Sequence, residues 1–166
     1  MSDATEGRCP TCGRPLDAHE PNFRFRFPDA VVDLLEAGLD PDELHGDPAK
    51  DILLEVEDAG CFVRVLLPIR LSEGFQLTLG TWLQVEFEDL ERTLDVYRMP
   101  GFHELVLSGT LANAVPPWGG LVLDAPATAA ILNENDVPYV MSSTDPLLSR
   151  VLQEEWPHDD VLSAFP

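Results

Sequence analysis

Cys9-Pro10-Thr11-Cys12-Gly13 sets two thiols three positions apart, a spacing at which both thiolates reach one soft metal ion. The glycine after the second cysteine lets backbone amides turn toward the sulfurs, as a zinc knuckle requires. Tetrahedral zinc takes four ligands. His19 is the nearest third donor, and Cys61, His45, His103 or His158 would supply the fourth by folding. The reading is a structural zinc site on Cys9, Cys12 and His19, with zinc the only cofactor expected. A thioredoxin-like redox pair would follow a strand and open a helix, and Pro10 to Pro15 offers no such setting.

The remaining polar chemistry is sparse. His103 precedes Glu104, and His158 precedes Asp159-Asp160, so each imidazole has a carboxylate able to orient it. A solvated loop or tail position is the plainer reading of both. No Gly-x-Ser-x-Gly elbow, phosphate-binding glycine loop, dinucleotide fingerprint or His-Glu-x-x-His helix occurs, so no catalytic residue is assigned. Arg64, on the less apolar face of its strand, pairs either with a ligand carboxylate or with Glu86 across a hairpin, the internal ion pair being expected. Trp118, in Pro116-Pro117-Trp118-Gly119-Gly120, and Trp82 are the aromatic anchors open to a protein partner, with Arg64 beside them. Core packing is the competing reading of Trp118.

Charge limits the partners. Thirty acids against ten bases leave a formal charge of −20, and Lys50 is the only lysine. Such a chain has no general affinity for phosphate backbones, which argues against nucleic acid. Self-repulsion aids solubility, and a basic protein partner would be drawn in by charge. No apolar run approaches the roughly 20 residues of a membrane helix, and Met1 to Glu6 lacks a signal pattern. A cytoplasmic location away from membranes, with reduced cysteines, is expected. Nothing in the sequence sets the oligomeric state.

The elements that position these groups follow from periodicity. One α+β domain over 1–166 is expected, with 1–22 a zinc-knuckle-like arm and two to four helices packed on an antiparallel β-sheet meander. Phe23-Arg24-Phe25-Arg26-Phe27 alternates as a strand, and Pro28-Asp29 opens a helix that stops at Gly38. Strands are expected over 52–56, 61–69 and 75–87, the last with Phe75, Leu77, Leu79, Thr81, Leu83, Val85 and Phe87 on one face. Gly80 marks a bulge or a close approach of backbone. A helix over 88–98 and strands over 104–112, 121–123 and 138–141 follow. The run 127–132 fits helix or strand equally. Asp145 caps a last helix over 146–156, with Pro146 in its first turn.

Cys9-x-x-Cys12-Gly13, Phe62-Val63-Arg64, Phe75-x-x-x-x-Gly80-x-Trp82, Gly109-x-Leu111-Ala112-Asn113-x-x-Pro116 and Asp145-Pro146-Leu147 occur in that order. In this the chain resembles the bacterial DUF2199 family, whose function is unknown. That family has a histidine close behind the cysteine pair and another before the late Pro-Leu. Here His19 lies seven residues beyond Cys12, and Asp145 stands before Pro146. The resemblance implies kinship and no reaction. The leading expectation is a non-catalytic protein-interaction domain with a structural zinc. The alternatives are an immunity-like inhibitor of a basic toxin and a small metal-dependent enzyme.

Overall fold

A computed structural model describes residues 22–40, 42, 52–97 and 99–165. Its frame is a long hairpin. Strand β3 (Gly60–Leu71) and strand β4 (Gln76–Val85) pair antiparallel from Cys61↔Val85 to Arg70↔Gln76, joined by a 3-10 turn at Ser72–Gly74. Odd-numbered residues of both strands are apolar apart from Thr81, and the pleat sends them to one side. Val63, Val65, Leu67 and Ile69 meet Leu77, Leu79 and Leu83 there, each fully buried. A side chain of this size contributes about 1.5–3 kcal/mol on full burial.

Shorter strands tile both edges of this hairpin. Strand β2 (Leu53–Val56) runs antiparallel beside the start of β3. Strands β5 (Val106–Leu111), β6 (Pro126–Ala130) and β7 (Tyr139–Ser142) continue antiparallel from the end of β4. β7 then lies parallel to β3 at Leu66↔Tyr139 and closes a five-stranded barrel, β3-β4-β5-β6-β7. Gly109 makes the β4–β5 approach possible, because a Cβ there would sit 2.1 Å from the Gln84 carbonyl oxygen.

Two further strands are parallel. Strand β1 (Asn22–Arg24) lies beside Thr78–Gly80, and strand β8 (Glu155–Trp156) beside Arg70–Leu71. The sheet is therefore mixed and closed, which the expectation of an antiparallel layer did not include. The physical reason is length: β3 has 12 residues and β4 has 10, so partners of two to six residues leave edge that distant segments fill. Closure also removes exposed edges that would recruit other chains.

The helices are α1 (Asp29–Glu36), α2 (Phe87–Val96), α3 (Pro146–Gln153) and α4 (His158–Leu162). Asp145 caps α3 by accepting from the Leu148 amide at 2.9 Å. Leu148, Val151, Val161 and Leu162 complete the main core. α1 instead lies over the outer face of the barrel, where Val31, Leu54, Val56, Phe62, Trp82 and Ala112 form a second, smaller core. Among the described residues no helix is long and apolar enough to cross a membrane.

Several expected elements are revised. Of the run 127–132, residues 127–130 belong to β6, which starts at Pro126, and Ile131 and Leu132 follow the strand; the small alanines allow tight packing against β5. The expected strand at 121–123 is turn, with Leu121 75% exposed and only Val122 inward. The last helix ends at Gln153, and β8 and α4 follow it. Phe87 opens α2 instead of ending β4, which turns its ring outward at 47% exposure. Gly80 carries no bulge, since the register runs unbroken through it.

Candidate functional site

Three places bring chemistry-bearing side chains together. The first is the second core. Arg64 of β3 faces Trp82 of β4 directly in the register, and its guanidinium lies over the indole at 4.3 Å. Nη2 donates to the Phe25 carbonyl at 2.9 Å, and Trp82 Nε1 donates to the same oxygen at 3.2 Å. Arg64 is only 4% exposed, yet its Nε and Nη1 are buried without an acceptor. Burial first, then the nearby Arg24 charge, pushes its pKa down to about 10. It therefore stays a cation at neutral pH.

The ion pair with Glu86 expected from sequence does not form. The register sets Arg64 opposite Trp82, while Glu86 lies beyond the end of β4 as the N-cap of α2. Trp82 is fully buried, so neither residue presents a surface anchor. Both are held from behind. Asn113 accepts from the Trp82 amide at 3.0 Å and donates to the Phe27 carbonyl at 3.0 Å and to Asp29 Oδ1 at 3.1 Å. Asp29 Oδ2 in turn accepts from the Ala114 amide at 2.8 Å, pinning the start of α1 to the chain beyond β5.

The second place is an acidic depression at the opposite end of the β3–β4 hairpin from its connecting turn. Cys61, a free thiol, sits between a cavity of about 550 Å³ along the 55–61 turn and one of about 360 Å³ that includes Gln84, Phe87 and Gly109. Burial pushes the Cys61 thiol pKa up, and the charges of Glu55, Glu86 and Glu88 add to the rise. Glu86 and Glu88 flank the N-terminus of α2, where the helix dipole favours acids. Glu55, Glu57 and Asp58 have no such explanation. Phe87 stands out of this acidic ring, half-exposed.

The third is a buried hydroxyl–imidazole contact. Ser72 Oγ lies 2.6 Å from His158 Nδ1 and accepts from the His158 amide at 3.0 Å. His158 is 2% exposed, with Phe75 edge-on at 5.7 Å. It is a buried residue, not the solvated tail position expected from sequence, because β8 carries the chain back onto β3 just before it. His103 is exposed and faces Glu134 and Glu104 at 3.4 and 3.9 Å.

Trp118 is half-buried, edge-on to Trp156 at 5.0 Å and packed on the main core. Cys9, Cys12, His19 and His45 lie outside the described residues, and among those described no group of three or more His, Cys, Asp or Glu is arranged to hold a metal. Arg24 joins Arg64 here without having stood among the expected site residues, although its alternation with Phe23 and Phe25 sets it on the face opposite the aromatics. Phe87, which the strand period assigns to the core face, lies at the surface because the helix begins at it.

A family model described as an uncharacterized protein conserved in bacteria, DUF2199, matches residues 8–153. No curated protein and no solved structure matches the chain.

Proposed function

Because the chain belongs to the DUF2199 family of uncharacterized proteins conserved in bacteria, its kinship names no reaction, and we propose that it is a non-catalytic interaction domain for a basic protein partner. The observation carrying this reading is the acidic depression at Cys61, where Glu55, Glu86 and Glu88 lie close to one thiol and a half-exposed aromatic ring, Phe87, stands between two of them in sequence. The surplus of 20 acids over bases in the sequence extends that field over the molecule. Charge of this kind speeds encounter, while an apolar side chain at its centre supplies the short-range contact. An immunity-like inhibitor of a basic toxin is the sharper form of the same proposal.

The test is binding of an arginine-rich peptide to the full chain by calorimetry, at low and at high salt. Glu55→Gln/Glu86→Gln/Glu88→Gln and Phe87→Ala should each weaken binding about tenfold or more. Glu91→Gln/Glu104→Gln/Glu134→Gln, which removes equal charge elsewhere, should not. Equal losses in both triple variants would reduce the effect to net charge and refute the depression as the docking face.

The cysteine arm belongs to this reading as a zinc-stapled extension on Cys9, Cys12 and His19, supported by the Cys-x-x-Cys-Gly spacing. Metal analysis of untagged protein should give zinc near one per chain, lost in Cys9→Ser/Cys12→Ser. Absence of metal from the native protein would sink the zinc proposal and leave the docking proposal standing.

A further inference from the structure

The described arginines are not spread evenly over this acidic molecule: Arg24 and Arg64 converge at one point, over the bare Cα of Gly80. A Cβ on Gly80 would lie 2.9 Å from Arg24 Cγ and 3.2 Å from Arg64 Nη1. Glycine thus opens the room in which the two side chains meet. Two like charges brought together disfavour one another unless a counter-charge joins them. Among the described residues no carboxylate does so, and the only acceptor reaching the Arg64 guanidinium is the Phe25 carbonyl.

We infer that Arg64 and Arg24 form an oxyanion-binding site beneath β1, taking a phosphate or carboxylate group between the two guanidiniums. Arg64 is the fixed half. Its plane is set by Trp82 and by the Phe25 carbonyl; of the two donors left over, Nε and Nη1, which diverge in that plane, Nη1 is the one at Gly80 beside the Arg24 stem, and it offers an oxyanion one charge-assisted hydrogen bond. Arg24 is the movable half, exposed at its tip, with its aliphatic stem lying against Gly80. A rotamer change in Arg24 uncovers Nη1 and brings a second guanidinium onto the same anion. The site is independent of the acidic docking face, because it selects the opposite charge on a different part of the barrel.

The experiment is thermal unfolding of the full chain in sodium phosphate, sodium acetate and sodium chloride at constant ionic strength. For wild type, the oxyanions should raise the midpoint saturably above chloride, by about 8 °C at 100 times the dissociation constant. A rise with both anions assigns the shared chemistry; a rise with phosphate alone assigns the phosphate class, and with acetate alone the carboxylate class. Arg24→Gln, at an exposed position, should fold and lose the effect, whereas Arg92→Gln should keep it. No rise over chloride, or an equal rise in Arg24→Gln, would overturn the proposal.

Discussion

Replacing Arg64 by methionine removes a buried charge while keeping most of its packed length. The lowering of its pKa from the ordinary arginine value to about 10 corresponds to roughly 3 kcal/mol against the charged form in the folded chain. Screening by water near exposed Arg24 reduces that to about 2 kcal/mol. Against this relief stands the loss of one charged hydrogen bond, about 2 kcal/mol. The indole contact is exchanged for a sulfur–aromatic one of similar size, about 1 kcal/mol. The Phe25 carbonyl is not orphaned, because Trp82 Nε1 still donates to it. The sum is near zero, so Arg64→Met should unfold in urea within about 1 kcal/mol of wild type, followed by tryptophan fluorescence. Arg64→Ala, which also empties the space over Trp82, should fall about 3 kcal/mol below Arg64→Met. The pH dependence carries a sign. Above about pH 10, and up to the ordinary arginine range, the unfolded chain keeps the Arg64 proton that the folded chain has shed, so wild type gains on Arg64→Met as pH rises through that window. If Arg64→Met loses as much as Arg64→Ala, the charge itself holds the second core together and the reasoning fails.

Cys61 gives the opposite slope. Its folded pKa lies above the ordinary 9.0, so the unfolded chain loses the proton first and stability declines as pH rises above 9.0; Cys61→Ser should flatten this part of the profile. In a Cys9→Ser/Cys12→Ser background, iodoacetamide should modify Cys61 more slowly than a free thiol at pH 8, and Glu86→Gln/Glu88→Gln should speed it. An unchanged rate would remove those carboxylates from the neighbourhood of the thiol. Asn113→Ala should cost about 3 kcal/mol or more in urea unfolding, because it strips partners from the Trp82 amide and the Phe27 carbonyl. A loss under 1 kcal/mol would mean that water replaces the amide. Ser72→Ala should cost about 2 kcal/mol, through the His158 amide and ring that its hydroxyl engages.

Periodicity carried much of the fold. The odd-position apolar stripe of β4, the α1 start at Asp29 and the Asp145 cap are local signals with local causes, and each appears at its expected place. Barrel closure was not legible, because it rests on β7 reaching a β3 edge more than 60 residues back, and no local pattern encodes that pairing. The site suffered from the same limit. Arg64 and Trp82 stood out as residue types, yet only the register shows that they face each other and that Glu86 lies out of reach. The aromatic–arginine alternation before α1 encoded which face Arg24 takes, but not the strand it would lie beside.

The short first strand has a consequence for the order in which the protein assembles. The β3–β4 hairpin closes through a local turn and needs no distant partner, so it forms early. β1 must find Thr78–Gly80 across more than 50 residues and gains only three paired positions when it does. It is therefore among the last pieces to dock and the first to fray. Amide exchange along β1 will run far ahead of exchange in β3. Each such opening withdraws the Phe25 carbonyl from Arg64, so a three-residue strand outside the barrel governs how often the buried cation meets solvent.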